Sequence, residues 1–296
     1  MTDFWRDAVL ARYFALSYRV LATPAGREFL RSARAAGAPV VHGYATAADL
    51  TDLLETLQPS AHDVILDLGC GVGEVAIAVH RRTGSHVVGI DASRGAIAEA
   101  RRRATAEGVS AAVRFQVGEL GSTKIEGSAA YALDSLMFLR PAPGVLASLV
   151  GSLEAPGRVF ATFIDHRGLD GDAFIRWVAG PGMRIERLTD VTGEFAARSR
   201  ERAAAARRVF RARPARAGRS GLLLVLAEEA AVSWLIKRGR LRRWRFTAIR
   251  ATSAPPTMHK AGAVNERRSA TVLPLALRGA PGLIRTLLDE CRDLIE

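Results

Sequence analysis

The chain has 296 residues, of which 49% are apolar, enough for one large domain with additions around a sizeable core. Its two cysteines, Cys70 and Cys291, lie too far apart in sequence for a disulfide framework or a zinc cluster, which suits a reducing cytoplasm. The net charge of +12 sits in one segment: residues 198–250 hold sixteen Arg or Lys against three acids, while 1–197 sum to −2 and 251–296 to +1.

The first residues carry Asp3 and Asp7 where a signal peptide needs a basic start and an apolar run. No uncharged apolar stretch reaches bilayer length; the longest, Leu222 to Ala227, stops at Glu228 and Glu229. A cytoplasmic protein without membrane association is expected. In chain order, Phe4, Val9, Tyr13, Leu16 and Val20 recur at helical steps, which predicts an amphipathic helix, broken by Pro24 and Gly26. A short helix is expected from Arg27 to Ala36 and another from Ala47 to Leu57, closed by Pro59.

The pattern then alternates. Strands are expected at Asp63–Leu68, His86–Ile90, Val113–Val117, Ala129–Leu133, Arg158–Ile164 and Met183–Leu188. Helices are expected between them at Val72–Arg82, Arg94–Glu107 and Val145–Leu153. Two further helices, Glu194–Arg211 and Leu222–Lys237, precede a closing strand at Arg242–Arg250, which alternates around Trp244, Phe246 and Ala248. A strand near Ala270–Leu273 and a helix at Gly282–Ile295 are expected in the last residues, as an arm on the core or on the partner in a homodimer.

The fold class is therefore α/β: a doubly wound, mostly parallel seven-stranded sheet of Rossmann-like form. It divides into an N-terminal helical lid (1–45), a nucleoside-binding core (46–190), a basic helical cap inserted before the last strand (191–240), that strand (241–252) and a C-terminal extension (253–296).

The strongest chemical signal is Asp67-Leu68-Gly69-Cys70-Gly71-Val72-Gly73, a buried strand entering a glycine turn that opens a helix. Glycine lets the backbone turn tightly and approach a ligand. Asp91 ends the next strand, where a carboxylate can accept from ribose hydroxyls. The dinucleotide fingerprint needs a sixth-place glycine, but that place is Glu74, and a carboxylate at a helix N-terminus repels a pyrophosphate. Asp67 suits instead a phosphate-free nucleoside that carries an ammonium and a sulfonium.

On these residues the chain resembles the class I S-adenosylmethionine (SAM)-dependent methyltransferase superfamily, from about Ala47 to Leu188. The resemblance implies SAM as cofactor and S-adenosylhomocysteine as product. It implies Asp67 at the methionine amino group, Gly69, Cys70, Gly71 and Gly73 along the ligand, Asp91 on the ribose and Ala92 against the adenine. Gly118-Glu119-Leu120 stands where the family has Gly-Asp, which places Glu119 and Leu120 at the adenine; Glu is one methylene longer than Asp. Leu133-Asp134-Ser135-Leu136-Met137-Phe138, Asp190-Val191-Thr192 with Phe195, and Arg242-Arg243-Trp244-Arg245-Phe246 resemble a bacterial subgroup more loosely.

Methyl transfer from a sulfonium is an in-line displacement and needs a base only if the nucleophile must lose a proton. Asp134 after the fourth strand and His166 after the fifth are the candidate catalytic residues, since open α/β sheets bind ligands at these strand ends. His166 also reads as a solvated loop residue. Tyr44 would cover the methionine end as part of the lid, or is an ordinary loop tyrosine. His42, His62, His80 and His166 form no metal-ligand cluster, so no metal is expected.

The basic segment would bind an anionic small-molecule acceptor, dock an acidic carrier protein or RNA, or be a solvated face in a chain that prefers Arg to Lys. The reading is methyl transfer to a small molecule, with biosynthesis of a natural product as its setting. The alternatives are an RNA or protein methyltransferase using the basic segment and a SAM-bound cyclase that leaves the methyl in place. The motif Asn-Pro-Pro-Tyr is absent after the fourth strand, and no nucleic-acid module is visible, which disfavours nucleic acid.

Overall fold

The computed structural model describes residues 20–34, 43–119, 126–138, 146, 153–179, 183–212 and 219–250. Most of the first amphipathic helix, His42, Leu120, nearly all of the helix expected at 145–153 and the whole of 253–296 with Cys291 lie outside them.

Helix α1 runs Pro24–Ser32 and starts earlier than its periodicity predicts. Pro24 and Gly26 do not only break the preceding run. Thr23 caps the new helix by accepting from Gly26 N at 3.0 Å, and Pro at the first turn forfeits no helical hydrogen bond. Helix α2 spans Ala47–Leu57, as read, and begins with a reciprocal capping box between Thr46 and Asp49.

Then come β1 (Val64–Leu68), α3 (Glu74–Thr83), β2 (His86–Asp91), α4 (Arg94–Ala106), β3 (Val113–Val117) and β4 (Gly127–Leu133). A turn of 3₁₀ helix at Leu136–Phe138 follows. Next are β5 (Leu153–Asp165), α5 (Gly171–Val178), β6 (Met183–Asp190), α6 (Thr192–Ala212), α7 (Arg219–Lys237) and β7 (Arg242–Arg250). Strand β5 starts before Arg158 because Leu153 already pairs with Gly127, ahead of an irregularity in the ladder.

The seven strands form one sheet in the order β3-β2-β1-β4-β5-β7-β6. Strands β1 to β5 pair in parallel, whereas β7 runs antiparallel to both β5 and β6. The order reverses at β1, which places a ligand crevice at the carboxyl ends of β1 and β4.

Each face carries its own core. Helices α2, α3 and α4 bury Leu53, Val79 and Ile97 against Ile65, Phe115 and Phe160. On the other face Leu66, Phe163, Trp244 and Phe246 pack with Phe174 of α5. Helix α5 is absent from the sequence reading. Asp170 caps it by accepting from Ala173 N at 2.8 Å, and Phe174 and Val178, one turn apart, are fully buried. Burying Phe174 is worth about 1.5–3 kcal/mol, enough to fix so short a helix. Helices α1, α6 and α7 form a third cluster around Phe29, Val209 and Leu226.

Candidate active site

The glycine turn joins β1 to α3. Gly69, Gly71 and Gly73 all have left-handed backbone, at φ 82°, 54° and 80°. A Cβ on Gly69 would stand 2.3 Å from Ser135 Cβ, and one on Gly73 2.5 Å from the Phe115 ring. Any larger residue would meet both the wrong backbone region and a filled space. The turn is tied to β2: Gly69 N and Cys70 N donate to the Ile90 carbonyl at 2.8 and 3.0 Å. Gly71 N donates to Asp91 Oδ2 at 2.9 Å.

Asp67 is 4% exposed, and its Oδ2 has no hydrogen-bond partner among the described residues. Burial raises its carboxyl to about 7; the neighbouring Tyr131 phenol opposes this and the Asp91 charge adds to it. A buried carboxylate atom with nothing bonded to it is a costly thing for a fold to keep, and a ligand cation would resolve it. Asp91 is half-buried; Oδ1 accepts from Ser93 N at 2.8 Å, so both oxygens are engaged by backbone yet keep lone pairs for hydroxyls. Burial raises its carboxyl too.

Ala92 and Glu119 are exposed at the ends of β2 and β3. Beside them Val117 is 42% exposed, the one exposed large hydrophobic residue among those described. It pairs with Asp91 across the sheet and offers an apolar surface next to that carboxylate. Cys70 is buried, which pushes its thiol well up and keeps it neutral.

The ends of β4 and β5 differ in character. Asp134 is buried and has left-handed backbone, φ 54°, a strain of about 1–2 kcal/mol for a residue with a Cβ. Its carboxylate is fully engaged. Oδ1 accepts from Thr162 Oγ1 and Arg243 Nε, each at 2.9 Å, and Oδ2 from Arg243 Nη2 at 3.1 Å. Arg243 is wholly buried and also grips Asp49 at the start of α2, at 2.9 and 3.3 Å. Arg245, two residues along the same face of β7, bonds Asp49, Asp52 and Glu194. Burial disfavours the Arg243 charge, but Asp134 and Asp49 outweigh it and raise its pKa, so it stays a cation. Against the same burial, the two arginines hold the Asp49 carboxyl below its ordinary value.

Asp165 is fully buried and spent on backbone, accepting from Arg167 N at 3.0 Å and Leu169 N at 2.8 Å. His166, next to it, is half-buried at the end of β5.

Tyr44 is buried. Its ring meets Phe195 edge-on at 4.7 Å and lies under the Arg202 guanidinium at 4.9 Å. Its hydroxyl donates to Glu229 at 3.3 Å, a carboxylate that also takes Ser199 Oγ at 2.7 Å and Arg202 Nε at 2.5 Å. The preceding Gly43 lies against the Asp134 carboxylate, so this segment reaches the end of β4.

The structure thus gathers Asp67, Gly69, Cys70, Gly71, Gly73, Asp91, Ala92 and Glu119 along one edge, and sets Asp134 and His166 at the ends of β4 and β5. Reading the sequence missed Asp49, Thr162, Tyr131, Arg202 and Glu229, and noted Arg243 and Arg245 only as part of the Arg-and-aromatic closing strand. The signal for the arginines was present: a strand with Trp244, Phe246 and Ala248 buried on one face carries Arg243, Arg245 and Thr247 on the other, and that face is buried as well.

Residues 65–154 match a family described as a methyltransferase domain. The methyltransferase GfsG of Streptomyces halstedii is 30% identical over 131 residues, 43% of this chain and 47% of that protein. A 23S rRNA (uracil(1939)-C(5))-methyltransferase, RlmD of Azoarcus sp., is 30% identical over 125 residues, 41% of this chain and 29% of that protein. The chain spans less than half the length of these curated relatives. Among solved structures, geranyl diphosphate methyltransferase in complex with SAM superposes with a TM-score of 0.55 at 21% identity, over 69% of this chain and 85% of that one.

Proposed function

We propose that this chain, which carries a methyltransferase domain in the class I SAM-dependent methyltransferase fold, binds SAM and passes its methyl group to a small-molecule acceptor. The observation that carries the reading is the unpartnered Oδ2 of buried Asp67, set beside three left-handed glycines. That combination fits a nucleoside with a cationic tail and no phosphate.

When bound, SAM supplies a methyl group already activated by its positive sulfur. The chain's own residues position and shield. Asp67 takes the ammonium of the amino-acid end. The glycine turn lets backbone approach the ligand, and Asp91 accepts from the ribose hydroxyls. Ala92 and Glu119 border the adenine. Tyr44, Phe195 and Ile164 form an apolar cluster over the end of β5 that excludes water from the transfer.

Asp134 is braced on both oxygens by Arg243 and Thr162, which makes it an orienting group in preference to a proton acceptor. His166 is the candidate to take a proton where the acceptor must lose one. The small-molecule acceptor is supported by the neighbour that methylates geranyl diphosphate. It is also supported by the basic segment, whose Arg198, Arg202, Arg243 and Arg245 are buried and bonded within the protein, leaving a smaller exposed charge for a polyanion.

Incubation with methyl-labelled SAM and a panel of candidate acceptors tests the reading. Adenosylhomocysteine should appear only with an acceptor that gains the label. Acceptor conversion with SAM left intact would favour a cyclase, and label in RNA with a steep salt dependence would favour an RNA substrate.

A further inference from the structure

We infer that Tyr131 is a positioning residue for Asp67: its phenol keeps that carboxylate charged and aimed at the cationic end of the ligand. The inference rests on the SAM reading and adds a residue to it.

Strands β1 and β4 pair in parallel with Asp67 directly opposite Tyr131. Side chains at matched positions of neighbouring strands leave the sheet on the same face. Here that face is the one covered by α2 and α3, and the surroundings are Leu50, Leu53, Ile65 and Phe160. Tyr131 is wholly buried, and its hydroxyl, like Asp67 Oδ2, has no hydrogen-bond partner among the described residues. Two unsatisfied polar atoms therefore stand side by side in an apolar core. A buried unpaired hydroxyl is costly, and a phenylalanine would fill the space without that cost. The hydroxyl is explained if it acts when Asp67 is charged.

The charges around Asp67 point the same way. Burial of the Tyr131 phenol, with the Asp67 charge beside it, pushes its pKa well up, so across the neutral range it is an O–H donor. Asp91 at the end of β2 opposes the Asp67 charge. Cys70 in the glycine turn is kept neutral by burial. On α2, Asp49 turns to Arg243 and Arg245 instead. Among the described residues, Tyr131 is the group facing Asp67 that favours its ionised form.

Calorimetric titration with adenosylhomocysteine over a series of pH values tests this. Wild-type affinity should fall as pH drops through about 7, because Asp67 must lose its proton to hold the ligand's ammonium. Tyr131→Phe should move that midpoint upward by about one pH unit, making binding about fivefold weaker at about pH 7 and about tenfold weaker well below it, with wild-type affinity regained on the alkaline side. Asp67→Asn should bind weakly with no midpoint. Methylthioadenosine, which lacks the amino-acid end, should show no midpoint with any variant. On the acid side of the midpoint, where Asp67 is protonated, the melting temperature of Tyr131→Phe should not fall; on the alkaline side it should fall slightly, because the charged carboxylate loses its donor. An unmoved midpoint, or equal weakening at every pH, overturns the role of Tyr131 and leaves the SAM reading standing. Failure of the wild-type protein to bind adenosylhomocysteine overturns the SAM reading and this inference together.

Discussion

The two halves of the site treat buried charge in opposite ways. Around β1 and β2, Asp67 is left with an unbonded oxygen and a raised pKa. Around β4 and β7, Asp134 and Asp49 are bonded on both oxygens by buried arginines, and Asp49 is lowered. The first arrangement is incomplete without a ligand. The second is complete in itself and serves as a brace. A buried carboxylate thus says little about function until its partners are counted.

Removing the brace should have the largest effect. Arg243→Ala leaves Asp49 and Asp134 short of their shared cation and should destabilise the fold by about 3–5 kcal/mol, read from urea unfolding. Arg243→Lys should recover only part of that loss, because one ammonium cannot make paired bonds to two carboxylates.

Next comes the incomplete half. Asp67→Asn should weaken adenosylhomocysteine binding by about 100-fold on the alkaline side, measured by calorimetry. The ligand-free protein should be no less stable than the wild type there. The sign follows from the raised pKa. A carboxyl at about 7 in the fold and 3.8 when unfolded adds stability below pH 3.8 and withdraws it as pH rises to about 7. Asn removes that slope from melting curves taken between these values. Asp49 runs the other way: its lowered pKa adds stability above 3.8 that is lost as pH falls through its folded value.

Gly69→Ala should cost about 2 kcal/mol, from the left-handed backbone and the clash with Ser135, and should impair ligand binding beyond that loss. The smallest effect belongs to the exposed arginines of α6. Arg207→Gln should change unfolding by less than about 0.5 kcal/mol. A larger change would mean that the exposed and buried arginines of this segment are not the separate classes the fold makes them.

The incomplete half was legible in the sequence because its chemistry is local. Asp67, Gly69, Gly71 and Gly73 lie within one turn, and Asp91 ends the next strand, so spacing alone assembles them. The brace was not legible, because its members meet only in space. Asp49, Asp134 and Arg243 come from α2, the end of β4 and β7, and no periodicity links them. Charge counting pointed the wrong way for Arg202, Arg243 and Arg245, which a sequence presents as surface and the fold buries. Strand positions were readable from apolar runs. Helix α5 was not, since its eight residues offer only Phe174, Trp177 and Val178 as a pattern.

Asp49 belongs to two structures at once. Its carboxylate accepts from Thr46 N at 2.8 Å to close the first turn of α2, and the same group receives Arg243 and Arg245 from β7. Local fraying of that turn would strand two guanidinium groups, so the usual independence of a helix end is lost. The amide protons of the α2 first turn should exchange with solvent as slowly as those of β7, and both should be released in a single cooperative event.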